Sequence, residues 1–121
     1  MANRDACCTL VPYFKIHAGQ VEAFKAFGPQ FIARTETEPK CLHYAFSFCG
    51  DEAHCREGYT DADALLAHLD NVGALLQEAL KIADLVRLEV HGPAAELAKL
   101  QEPLKGLNPK YFELAEGGFR I

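Results

Sequence analysis

The chain has 121 residues, half of them hydrophobic and 24% charged, with a formal net charge of −5 at pH 7. That is the size of one domain, with enough apolar material for a core that needs neither metal nor disulfide. Its 12 Lys and Arg residues are scattered, which argues against nucleic acids and anionic membranes as partners, because both bind clustered positive charge.

Met1 to Asp5 leads into a short apolar run, not into a signal-peptide core, and no apolar stretch approaches a membrane span in length. The five cysteines are Cys7, Cys8, Cys41, Cys49 and Cys55. An odd count without an export signal reads as free thiols in a reducing compartment, so the cytoplasm is the expected location.

The elements follow in chain order. Cys8 to Ile16 mixes apolar, aromatic and β-branched residues and reads as a first strand, at a sheet edge or bulged because of Pro12. From Ala18 to Glu38, Val21, Phe24, Phe27, Phe31 and Ile32 recur at helical steps. Gly28-Pro29 within that stretch predicts a kink or two abutting helices. Cys41 to Cys49 alternates, with Leu42, Tyr44, Phe46 and Phe48 on one face and Cys41, His43, Ala45, Ser47 and Cys49 on the other. Gly50 to Ala53 is read as the turn of a hairpin whose second strand runs from His54 to Thr60. In that register Cys49 faces His54, and His43 faces Thr60.

Thr60-Asp61-Ala62-Asp63 reads as a capping box with Thr60 as the cap. A helix follows through Leu65, Leu66 and Leu69, interrupted at Asp70-Asn71 and resumed through Val72, Leu75 and Leu76. Asp84 to His91 is a strand, with Val86, Leu88 and Val90 on one face and Arg87, Glu89 and His91 on the other. Ala94 to Leu100 is a short helix, Pro103 to Pro109 a loop, and Tyr111 to Leu114 a short edge strand. Gly117 to Ile121 reads as a mobile or docked tail.

This order, β-α-β-β-α-β plus a tail, is the ferredoxin-like order of an α+β domain: an antiparallel sheet with helices on one face. Both faces of the hairpin carry apolar side chains, so the open face of the sheet also requires cover. The simplest cover is a second copy, giving a homodimeric α/β barrel.

The segment Arg56-Glu57-Gly58-Tyr59-Thr60-Asp61-Ala62-Asp63-Ala64-Leu65-Leu66-Ala67-His68 resembles the signature of the antibiotic biosynthesis monooxygenase (ABM) family. There a strand ends in Glu-x-aromatic, a polar cap follows, and a helix carries Ala-Leu and then His. His17-Ala18-Gly19-Gln20-Val21-Glu22-Ala23-Phe24 is also similar to the family's first strand–helix junction. The likeness spans a core of about residues 8 to 92 in a single domain of residues 1 to 121, leaving 93 to 121 as an extension over the pocket or a partner. It implies the dimeric barrel and, in some members, oxidation of quinol- or anthrone-like aromatics by O₂ without a cofactor. Tyr59 stands where tryptophan is usual and the chain has no Trp, which disfavours the haem-degrading members.

Three residues carry the implied chemistry. His68 is the base that takes a phenolic proton, Tyr59 the substrate contact and Glu57 the orienting group. His43 and Tyr44 are further candidates to line a pocket for a small aromatic, although only one of the two can face the helices. The alternative is a non-catalytic dimer of this fold that binds a small ligand or serves in a stress response, with His68 a core residue. A third reading, a thiol or metal site at Cys41, His43, Cys49, His54 and Cys55, lacks a recognised ligand spacing. Cys41 and Cys49 would lie roughly 26 Å apart at about 3.3 Å per residue. No metal and no cofactor is expected.

Overall fold

The structure is a computed structural model that describes residues 3–121; Met1 and Ala2 lie outside the described residues. The chain forms β1 (Asn3–Arg4), β2 (Cys8–Ile16), α1 (Val21–Lys25), α2 (Gly28–Thr35), β3 (Cys41–Cys49), β4 (Glu52–Tyr59) and α3 (Ala62–Ala79). These are followed by β5 (Ala83–Gly92), α4 (Ala94–Leu104), a 3₁₀ turn (Lys105–Leu107), β6 (Lys110–Glu113) and β7 (Phe119–Arg120). Five strands form one sheet in the order β3-β4-β2-β5-β6. The first four are antiparallel and have the ferredoxin-like order. β6 then adds in parallel beside β5, so the sheet is mixed, not wholly antiparallel.

Pro12 does not put β2 at an edge, because β2 lies between β4 and β5. The irregularity that the proline requires lies nearby, as a register shift between Tyr13 and Phe14 in the pairing with β5. Tyr13 opposes Arg87 and Phe14 opposes Leu85. Val86 is therefore the extra residue of a bulge and turns outward at 60% exposure. Leu85, Leu88 and Val90 face the helices instead of an unbroken Val86-Leu88-Val90 row.

Gly28-Pro29 divides the first helical stretch into α1 and α2, with the proline in the first turn of α2, where its missing N–H costs nothing. The hairpin turn is Gly50-Asp51, two residues shorter than expected, with Cys49 opposite Glu52. Gly50 has φ +60°, the left-handed backbone needed at the first turn position of such a tight hairpin. Consequently Ser47, not Cys49, opposes His54, and His43 opposes Gly58.

Asp61, not Thr60, caps α3, its carboxylate accepting from the Ala64 N–H at 2.8 Å. That cap contributes about 1 kcal/mol. Asp70-Asn71 does not interrupt α3, which runs unbroken for 18 residues; both side chains are tolerated in a helix whose stripe Leu65, His68 and Val72 is buried. α4 runs on to Leu104 and buries Leu97, Leu100 and Leu104 against Leu65, Leu88 and Val90. The tail docks on its own chain, with Asn3 paired to Arg120 and Arg4 to Phe119. Among the described residues, no helix is long and apolar enough to cross a membrane.

Candidate functional site

The helix-facing row of β4 is Ala53, Cys55, Glu57 and Tyr59, and all four are buried. Strand alternation therefore drives a carboxylate into the core, where it requires partners. Glu57 is 3% exposed and His68, one helix turn beyond Leu65 on α3, is 1% exposed. The Glu57 Oε1 accepts the Tyr59 hydroxyl at 2.6 Å and lies 3.2 Å from His68 Nε2. The other ring nitrogen, Nδ1, meets the Glu38 carboxylate at 2.9 Å. Glu38 lies between α2 and β3, and its Oε2 also accepts the Asn71 amide at 2.7 Å. The imidazole thus stands between two carboxylates.

Burial works against an imidazolium here, but the hydrogen bonding and charge of Glu57, then of Glu38, outweigh it and raise the His68 pKa above the ordinary 6.5. The rings of Tyr44 and Tyr59 stand against the imidazole at 5.2 and 5.1 Å between centroids, which also favours the cation. Burial, then the Glu57 charge, raises the pKa of both tyrosine hydroxyls, so both remain neutral donors.

Beside this cluster lies a small cavity of about 50 Å³. Phe14, Phe24, Phe31 and Phe46 line one part, and Leu69, Val72 and Leu76 of α3 another. Its polar lining consists of Tyr44, Cys55, Glu57 and His68. Leu107, in the 3₁₀ turn after α4, also reaches the wall, so the C-terminal extension helps enclose the cavity. The contacts of Glu57 with Tyr59 and His68 both run through Oε1, and Cys55 lies beside the same carboxylate.

The structure brings His68, Glu57, Tyr59 and Tyr44 together but separates their positions from those expected. Tyr59 is fully buried behind Glu57 and does not line the cavity, because its hydroxyl turns back to the carboxylate. His43 points away from the helices, with its ring over Gly58, where a Cβ would come within 2.4 Å of Nε2. His68 presents its two nitrogens to Glu38 and Glu57, not to the cavity directly. The sequence pattern singled out none of Glu38, Asn71 and Leu107 for the site, and Cys55 only as part of a thiol or metal site. For Asn71 a signal existed, since it lies three residues after His68 on the same helix face.

Among the described residues, no group of three or more His, Cys, Asp or Glu could hold a metal ion. The cysteines are free thiols. Burial pushes the Cys8 thiol up to about 11 and raises that of Cys55, so neither is a ready nucleophile. Arg87 and His91 both contact Glu89 on the open sheet face, as a polar ladder.

Set against known structures, this arrangement has relatives. The crystal structure of MupZ from Pseudomonas fluorescens is 48% identical, covers 96% of each chain and superposes with a TM-score of 0.91. A candidate antibiotic biosynthesis monooxygenase from Caulobacter crescentus is 20% identical, covering 70% of this chain and 87% of its own, with a TM-score of 0.64. Another from Chloroflexus aurantiacus is 17% identical, covering 74% and 94%, with a TM-score of 0.61. The chain belongs to one family with MupZ and has the fold of the candidate antibiotic biosynthesis monooxygenases. It is related to MupZ along nearly its whole length, whereas the distant monooxygenase structures speak for the fold and not for a reaction. No family profile and no curated protein matches the chain.

Proposed function

We propose that the protein is a cofactor-independent monooxygenase or oxidase of a small, electron-rich aromatic. The observation that carries this reading is an ionisable Glu57–His68 pair at the wall of an otherwise apolar cavity. Glu57 Oε2 takes a proton from the ligand, and the His68 imidazolium beside Oε1 is the counter-charge of the carboxylate. Tyr44 lines the cavity as a ligand contact. The apolar walls leave the ligand anion poorly solvated, which favours electron transfer from it to O₂.

The atoms balance without an added reductant. For an anthrone-like methylene, CH₂ and O₂ give C=O and H₂O, with the proton on Glu57 returned to the departing oxygen. For a hydroquinone, two electrons and two protons pass to O₂, giving the quinone and H₂O₂. The test is oxygen uptake by metal-stripped protein with anthrone and a panel of hydroquinones. Uptake well above the uncatalysed rate is the expected result. Uptake at the uncatalysed rate across the panel would favour the non-catalytic ligand-binding reading.

The working form is proposed to be a homodimer joined through the open sheet face. Half-buried Tyr13 and His54, in tilted ring contact at 4.9 Å, and exposed Phe112 lie on that face, uncovered among the described residues. Light scattering at micromolar concentration should show twice the 13.3 kDa chain mass. A 13.3 kDa species alone would refute the dimer.

A further inference from the structure

His68 has two sides, and the side facing away from the cavity is as carefully built as the side facing it. Its Nδ1 contacts both oxygens of Glu38, at 3.1 and 2.9 Å. The Asn71 amide holds that carboxylate at 2.7 Å while also donating to the Arg34 carbonyl at 2.9 Å, which ties α3 to the end of α2. The Glu38 side chain is 13% exposed, against 2% for His68 and 4% for Glu57. It opens onto a shallow groove that Thr35, Glu36, Cys41 and His43 also line. Tyr44 lines both this groove and the cavity and so stands between them.

Of the three ionisable groups in the cluster, Glu38 is the one with appreciable contact with water. A buried imidazolium cannot exchange its protons with solvent unless some group receives them. From this geometry we infer that Glu38 is the proton port of the buried site: the Nδ1 proton of His68 leaves through the Glu38 carboxylate to water in the groove, and returns by the same route.

The proton balance is simple. The Nδ1–H bond breaks, an O–H bond forms on Glu38, and the carboxyl group passes the proton to water. The ring is left neutral, with its remaining proton on Nε2 toward Glu57. Glu38 is therefore a positioning residue that sets the charge of the Glu57–His68 pair without touching a ligand, and Asn71 holds it in line. The catalytic significance of this port rests on the function proposed above; its existence does not. The groups around the ring are Tyr44 from β3, Glu57 and Tyr59 from β4 with Cys55 beside Glu57, Glu38 from the α2–β3 loop, and Asn71 from its own helix. The guanidinium of Arg34 lies near the Asn71 carbonyl, at 3.4 Å.

The test needs no substrate. Full-length protein labelled with ¹⁵N-histidine would be compared with Glu38→Gln by NMR, measuring exchange of the His68 ring N–H protons with water across pH 5 to 9. Glutamine can still accept the Nδ1–H hydrogen bond but cannot take the proton. In Glu38→Gln the Nδ1 proton should exchange more slowly by on the order of 10²-fold, the low end of what a positioned proton acceptor contributes. Glu38→Asp should restore much of the rate. Exchange unchanged in Glu38→Gln would overturn the port, since a purely orienting role survives that substitution. Should Glu38→Gln fail to fold, Asn71→Ala releases the carboxylate instead, and slower exchange or an unchanged rate decides in the same way. Absence of oxygen uptake by the wild type would defeat the proposed reaction and leave this result standing.

Discussion

His68→Leu should destabilise the protein by about 3–5 kcal/mol in urea unfolding near pH 6, the range for removing one member of a buried ion pair. The substitution leaves Glu57 and Glu38, 4% and 13% exposed at their side chains, without their shared cation. The effect should depend on pH with a definite sign. The folded pKa of His68 lies above its unfolded value of 6.5. The contribution of the imidazolium is therefore fully present below pH 6.5 and is lost as pH rises through the raised folded pKa. The difference between wild type and His68→Leu should therefore shrink as pH rises above 6.5. Adding Glu57→Gln to His68→Leu should recover much of the loss, because it removes the stranded charge. A loss under about 1 kcal/mol at pH 6 would mean that water solvates both carboxylates and that the cluster is no buried ion pair.

The second large effect concerns turnover. Glu57→Gln should lower kcat for the best member of the anthrone and hydroquinone panel by about 10²–10⁴-fold, the contribution of a positioned proton acceptor. KM should change little, since glutamine keeps the shape of the wall and its amide oxygen can still accept the Tyr59 hydroxyl found at 2.6 Å. His68→Ala should lose activity over the same range, through loss of the cation paired with Glu57. Tyr59→Phe should lose much less, because Tyr59 lies behind Glu57, away from the ligand. Full activity in Glu57→Gln would remove the carboxylate from the chemistry and return the role of base to His68 itself.

The fold was largely legible because strand and helix periods were strong. Every expected sheet strand and helix is present, and the stripe Leu65-His68-Val72 placed the correct side chains toward the core, whereas in Cys41 to Cys49 a register shift between Cys41 and His43 leaves Leu42 exposed and turns Cys41 to the core. The errors arose where backbone geometry overrides period. A two-residue turn at Gly50 moved the hairpin register, and a bulge at Val86 changed which residues face inward. Of the site, Glu57, Tyr59, His68 and Tyr44 were legible from position on strand and helix. Their division of contacts was not, because whether Tyr59 lines a cavity or turns to a neighbouring carboxylate depends on side-chain torsions. Glu38 lies in a connection between elements, where no period marks a residue as buried, so only the folded chain brings it to His68.

The pairing of β1 with β7 has a practical consequence for rewiring the chain. Asn3 and Arg120 are partners across one ladder, so the two ends of the described chain lie a strand's spacing apart. A short linker could join them, and new ends opened at the exposed turn Gly50-Asp51 would leave the connections around Glu38, Glu57 and His68 uncut. Such a permuted protein would free the β1–β7 ribbon from holding the ends, and would place any fused reporter on the hairpin tip.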